Sequence, residues 1–321
     1  MDTHTEPAEA TRTAIVFPGM QPTAFSEVSR FMLVNPYARE LYARADDTLG
    51  YRLADRYRET EGDYSLYGQI SFVVNCLALA HFAGERLEVD PSHVTGPSFG
   101  ARAAAVYSGV LDFADAVTMT ARLAETVDDY FAREHPALVT QSMARVPEEG
   151  VAELRRELEE RGEWSDIACV VDHDFTMLTV HESVLDWLQR RIRSLGGMAM
   201  YTMKPPMHSY LFDGLRDRVD AEIFAGLTWS DPRLPVIADQ DGRTVTTGAG
   251  VREMLLDGFV RTVRWPDVVA SLKAAGVARL CVSGADGLFT RVACTTRSFR
   301  VMPVTPRSAM RPARRRMPVA A

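Results

Sequence analysis

An α/β architecture is predicted for this 321-residue sequence: a large domain built on a parallel sheet, with a ferredoxin-like βαββαβ subdomain inserted into it. Three observations predict it. Strand-like and helical segments alternate over residues 13–136 and again over 205–304, the order that builds a parallel sheet. Residues 137–204 change character and read strand, charged helix, two strands, helix, strand, which is one small βαββαβ unit. Between the two halves, Gly96-Pro97-Ser98-Phe99-Gly100 joins a short apolar strand to a strong helix former, a turn that such sheets place at the carboxyl edge of a strand.

The elements follow in order. Thr13–Phe17 is a buried strand, and Pro18-Gly19-Met20 turns after it. Asn35-Pro36 supplies a capping side chain and a proline at the first helical position, opening a helix that runs to about Leu49 before Gly50. From Tyr64 to about Phe82 the chain is apolar nearly all round and too long for a strand, so it reads as a central buried helix. Gln69, in its first turns, is either a satisfied core group or part of a site wall. His93–Gly96 reads as a strand, 101–107 as a helix ending at Ser108-Gly109, and Phe113–Phe131 as another helix. The inserted unit takes strands at Val139–Val146, Ile167–Val171, Phe175–Val180 and Met198–Met203, with helices at Pro147–Arg161 and Val184–Leu195. The large domain resumes at Pro205 with a helix to about Phe224, a strand at Leu234–Ala238 and helices at Gly250–Phe259 and Pro266–Ala275. A strand at Ala278–Val282 and the segment Leu288–Cys294 complete it, leaving 1–12 and 305–321 as flexible termini.

Composition narrows the function classes. A net charge of −7 argues against a general nucleic-acid binder. Arg307, Arg311, Arg314, Arg315 and Arg316 form a basic tail, read as a solvated terminus or a docking element for an acidic partner. Cys76, Cys169, Cys281 and Cys294 form no C-x-x-C pair, which excludes the usual zinc spacings and suggests reduced, buried thiols. Residues 1–12 lack the apolar core of a signal peptide, and no apolar stretch approaches a membrane span, so a cytoplasmic protein without membrane contact is expected.

The chemistry is aimed at Ser98. A serine on a strand-to-helix turn bracketed by glycines is a nucleophile elbow, and the helix behind it offers free N–H groups to an oxyanion. A serine hydroxyl needs a base within hydrogen-bond reach. Of seven histidines, His208 is the one placed where the insertion returns to the large domain; on spacing alone it is the best of several candidates.

The series Phe17-Pro18-Gly19, Gln69, G-x-S-x-G at 96–100, a ferredoxin-like insert, Met207-His208-Ser209 and Val263-Arg264-Trp265 resembles the malonyl-CoA:acyl-carrier-protein transacylase family over about residues 13–300. The resemblance implies an α/β-hydrolase-like large domain and a dyad in which Ser98 is acylated and His208 acts as general base and then acid. It places the oxyanion hole on the backbone N–H groups of Met20 and Phe99, and the carbonyl that orients the histidine on Gly258. It also implies no bound cofactor or metal; substrates ride on the phosphopantetheine of acyl carrier proteins. The substrate pocket is expected to involve Gln69, Pro97, Arg122, Leu123 and Met207. Pro97 stands where the family has histidine, and Leu123 stands where the family has the arginine that pairs with a malonyl carboxylate. Arg122, its neighbour, is rotated by roughly 100° about the helix. A buried carboxylate without such a partner is costly, so a malonyl group is not favoured.

The sequence also resembles the stand-alone acyltransferases of macrolactam polyketide pathways. That likeness implies transfer of an aminoacyl-capped β-amino acyl group from a free-standing carrier to a loading-module carrier of a polyketide synthase. Carrier contacts are then expected at Arg145, Met198 and Arg291, since a carrier presents an acidic helix beside its phosphopantetheine. Other readings use the same residues: a hydrolase that clears stalled carriers, or a malonyl-specific enzyme with Arg122 swung into place. An ordinary esterase fits poorly because no histidine follows His208, and a non-catalytic docking protein would not need the Ser98–His208 pair.

Overall fold

Apolar β-branched segments pair into two sheets, and the helices bury their apolar faces against them. The computed structural model describes residues 12–60 and 64–311. The chain begins with β1 (Arg12–Val16), α1 (Phe25–Val34), α2 (Pro36–Leu49), α3 (Leu53–Arg58), α4 (Leu66–Leu87), β2 (His93–Thr95), α5 (Gly100–Tyr107) and α6 (Phe113–Glu134). It continues through β3 (Leu138–Ala144), α7 (Glu148–Glu160), β4 (Ser165–Asp172), β5 (Phe175–His181), α8 (Leu185–Ser194) and β6 (Met198–Met203). The remainder is α9 (Asp213–Glu222), β7 (Val236–Ile237), β8 (Thr244–Val245), α10 (Gly248–Val260), β9 (Val263–Arg264), α11 (Trp265–Ala274), β10 (Val277–Ser283), α12 (Ala293–Thr296), β11 (Arg300–Val304) and α13 (Pro306–Ala309).

The larger sheet runs β11-β10-β1-β2-β7-β8, parallel except for the β7–β8 hairpin. Its register sets the site. Val16 lies opposite Thr95, and the Phe17 N–H donates to the Thr95 carbonyl at 3.0 Å. The loop after β1 and the turn after β2 therefore leave the sheet side by side, at the carboxyl edge where open α/β sheets bind ligands.

The second sheet runs β6-β3-β5-β4-β9, with β3 to β6 antiparallel in the βαββαβ order the sequence predicts. Its fifth strand comes from the large-domain segment: Val263 and Arg264 pair in parallel with Cys169 and Val170. One apolar cluster then joins the sheets, taking Val16 from β1, Cys169 and Val171 from β4, and Trp265, Val268 and Leu272 from α11. Trp265 is fully buried and its indole N–H donates to the Thr295 hydroxyl at 2.7 Å.

α4 is the helical centre, with Ile70, Val73, Val74, Leu77 and Leu79 buried. It corrects the reading that no stretch approaches a membrane span. By length and composition α4 could cross one, yet its middle is enclosed by the core of this chain. Other corrections concern local order. α1 and α3 were not foreseen; the residues before them, Ala24 and Arg52, give no side-chain cap, so the strongest start signal is missing. Within Leu288–Cys294, residues 288–292 are bend and turn and the last two open α12; the edge of the sheet is β11. Residues 306–309, expected in a flexible terminus, form α13 and bury Pro306 and Ala309. Cys294 is only partly buried, unlike the other three thiols. Residues 1–11 and the arginines at 314–316 lie outside the described residues.

The glycines of the elbow are fixed by close backbone approach. A Cβ on Gly100 would lie inside the van der Waals radius of the Phe17 carbonyl oxygen, and one on Gly96 inside that of the Gly100 carbonyl. Gly100→Ala should cost about 1–3 kcal/mol or more, because backbone rather than a flexible side chain would have to move. Thermal unfolding checks this: a clear drop in Tm is expected, and an unchanged Tm would show that the turn relaxes freely.

Candidate active site

Ser98 occupies the left-handed region, with φ of 53°. That conformation costs a non-glycine residue about 1–2 kcal/mol and throws the side chain out over the sheet edge. Its backbone N–H donates to Asp239 Oδ2 at 2.6 Å, and the Gly100 and Ala101 N–H groups bond back to the Pro97 and Ser98 carbonyls. These contacts hold the turn, and α5 begins at once behind it.

His208 also has a positive φ, of 65°, and is anchored from α10: the N–H groups of His208 and Ser209 both donate to the Phe259 carbonyl, at 3.1 and 3.3 Å. The Ser209 hydroxyl donates to Asp166 Oδ2 on β4 at 2.7 Å, tying the histidine loop to the second sheet. With both residues held this way, Ser98 Oγ and His208 Nε2 stand 2.7 Å apart. The imidazole is buried, and burial lowers its pKa to about 4. The Gly258 carbonyl beside Nδ1 offsets part of that shift, although the contact falls short of a regular hydrogen bond. Such contacts commonly tighten only once substrate is bound. The neutral imidazole therefore faces the hydroxyl at any pH well above 4, in the form that can accept a proton.

Both residues open onto a cavity of about 470 Å³, within the roughly 300–1,000 Å³ that accommodates a drug-sized ligand. Its wall is mostly apolar, with Met119, Leu123, Val127, Met207, Phe224 and Leu255 prominent. Met20 and Phe99 lie on the same wall, and among the described residues their backbone N–H groups donate to nothing. Gln69 lines the cavity too, its side-chain amide donating to the Tyr64 carbonyl at 2.7 Å.

Two pocket expectations need correction. Arg122 does not reach the cavity: it is exposed and donates to the Glu222 carbonyl at 2.6 Å, on the other face of α6. Pro97 is buried beneath the elbow and does not line the cavity. The three carrier-contact positions are all exposed, and Arg145 and Arg291 are in no ion pair among the described residues. Met198 lies opposite Ala144 in the β3–β6 register, next to Arg145, on the edge strand where Met200 and Tyr201 are also exposed.

The sequence reading missed Arg102 and Asp239, which both line the cavity. Burial raises the Asp239 carboxyl to about 6, with the Ser98 N–H pulling it the other way. Asp239 lies in the run Asp239-Gln240-Asp241-Gly242, which reads as turn chemistry and gives no hint of a site. Arg102 did carry a signal: it is a cation in the first turn of a helix, where the dipole favours an acid.

A serine on this elbow, an imidazole at its oxygen and a cavity over the sheet edge suit an enzyme that forms and discharges an acyl-serine. Comparison with known proteins agrees. Residues 142–203 match the family described as the VinK acyltransferase small domain. The malonyl CoA-acyl carrier protein transacylase of Escherichia coli K12 is 25% identical over 287 residues, covering 87% of this chain and 91% of that one. FabD from Acinetobacter baumannii superposes with a TM-score of 0.82 at 19% identity, over 94% of this chain and 96% of that one. The acyltransferase domain of the second salinomycin polyketide synthase module gives 0.77 at 24% identity, over 94% and 72%. The chain is thus similar over most of its length to the FabD-like malonyl-CoA:acyl-carrier-protein transacylases, and residues 142–203 match the VinK-type small domain.

Titration of His208 by imidazole NMR in the free enzyme should give a midpoint near pH 4. A midpoint near 6.5, the value of a solvated histidine, would show that the site is wet and its base unperturbed.

Proposed function

We propose that this chain moves an acyl group between two acyl carrier proteins through an acyl-Ser98 intermediate, in macrolactam polyketide assembly in the cytoplasm. The observation that carries the reading is the 2.7 Å contact between Ser98 Oγ and a buried, neutral His208 at the wall of a large apolar cavity. His208 takes the hydroxyl proton as Oγ attacks the thioester carbon, and the oxyanion settles between the Met20 and Phe99 N–H groups. Collapse expels the phosphopantetheine thiolate, which recovers the proton from His208. A second carrier's thiol then loses its proton to His208 and attacks the acyl ester, regenerating Ser98. Gly258 offers its carbonyl to the imidazole throughout, and no metal or resident cofactor enters these steps.

Leu123 on the cavity wall, with Arg122 turned away, supports an acyl group longer and less charged than malonyl. The carrier is proposed to dock over Arg145, Met198 and Arg291, an exposed basic and apolar rim that suits an acidic helix. A malonyl transacylase of similar fold was solved with its type II polyketide acyl carrier protein, at a TM-score of 0.80 and 19% identity over 92% of this chain and 96% of that one. The donor is taken to be a free-standing carrier and the acceptor a polyketide synthase loading carrier.

A transfer assay between acyl-loaded and empty carriers tests this. Ser98→Ala and His208→Ala should each lower the rate by at least about 10³-fold, and malonyl-CoA should label the enzyme slowly. Fast malonyl labelling would overturn the substrate reading, and transfer surviving in Ser98→Ala would overturn the intermediate. Charge reversal at Arg145 or Arg291 should raise KM for the carrier with kcat little changed; unchanged carrier kinetics in both would remove that docking face.

A further inference from the structure

Arg102 is a charged side chain in the cavity wall, one of whose guanidinium nitrogens has no partner among the described residues. It lies four residues beyond Ser98, in the first turn of α5. Its guanidinium carbon sits 3.9 Å from the centre of the Phe99 ring, and that ring packs edge-on against Phe72. Nη1 is sealed from solvent and has no hydrogen-bond partner among the described residues, and the side chain forms no ion pair there. Burial lowers its pKa to about 9, so it stays charged at neutral pH, and no carboxylate contributes to that shift. The other acidic cavity residues are engaged or placed elsewhere: Asp239 accepts from the Ser98 N–H, and Asp286 accepts from the Leu288 and Thr290 N–H groups. Asp128 is exposed and forms no ion pair with Arg102 or any other described residue.

An unpartnered buried donor is unfavourable, and a cation in the first turn of a helix is unfavourable again. The Phe99 stack offsets part of this. A residue kept against local stability at a cavity wall is best explained by a ligand that completes it.

We propose that Arg102 is a specificity residue, donating hydrogen bonds to a carbonyl or carboxylate oxygen carried along the acyl chain, beyond the thioester. This rests on the proposed acyl transfer and names the feature that the cavity selects. The stack on Phe99 fixes the plane of the guanidinium, so its N–H groups are directed before substrate arrives. An acyl group with an oxygen at the matching position fills the unsatisfied donors, and a plain alkyl chain leaves them empty.

The experiment compares carriers loaded with three acyl groups of matched length: one with an internal amide, one ending in a carboxylate, and one purely alkyl. Acyl-Ser98 formation is read by stopped-time mass spectrometry in the wild type and in Arg102→Met and Arg102→Lys. The wild type should favour at least one oxygen-bearing group over the alkyl chain by roughly 10- to 100-fold. Arg102→Met should bring that ratio close to one, and Arg102→Lys should restore part of it. Which oxygen-bearing group is favoured tells an amide carbonyl from a carboxylate. A wild-type enzyme without the preference, or an Arg102→Met enzyme that keeps it, overturns the assignment. Should no carrier acylate the wild type, the transfer reading fails on its own. Calorimetric binding of the same acyl-pantetheines to the Ser98→Ala protein then decides the Arg102 question separately, with loss of the preference in the double variant expected and its retention contradicting the proposal.

Discussion

The contact between Ser98 Oγ and His208 Nε2 is the constraint the rest of the molecule serves. Neither residue could hold its place alone. Each sits in a left-handed backbone conformation that an isolated peptide would leave, and each is over-determined by contacts from other elements. Asp239 after β7 holds the Ser98 N–H, while the Phe259 carbonyl at the end of α10 holds the histidine loop by two N–H groups. The alignment of three donors and two acceptors across four chain segments is what makes the pair rigid enough to react.

The coupling of the two sheets follows from the same need. Asp239 uses its side chain on the elbow and its carbonyl on the Arg264 N–H, at 2.7 Å, just where β9 joins the smaller sheet. Ser209, next to the histidine, bonds Asp166 at the start of β4. The inserted unit is therefore not a passive appendage. It braces the histidine loop through Asp166, pairs with β9 beside the elbow's Asp239, and contributes Ser142, Met177 and Met203 to the cavity wall.

How much of this the sequence disclosed depends on how local each cause is. The Ser98 elbow was legible because its glycines, strand and helix are contiguous and each glycine answers a backbone collision. The inserted unit was legible through its element order, whereas Arg122 was expected in the pocket beside Leu123 and only the fold shows it on the other face of α6. His208 was legible only by its place in a series of motifs, since its partners Phe259 and Gly258 are some fifty residues further on. Asp239 was hidden because its role arises from a tertiary approach that no local pattern encodes. The addition of Val263 and Arg264 to the second sheet was hidden for the same reason.

The central claim is that this serine, and no other group, carries the acyl chain between thiols. Intact-protein mass spectrometry with peptide mapping, after brief mixing with an acyl-loaded carrier, tests it most directly. The account predicts one acyl adduct per chain, on the peptide that contains Ser98, discharged when an empty carrier is added. Transfer proceeding with no adduct, or with an adduct on another residue, would contradict it.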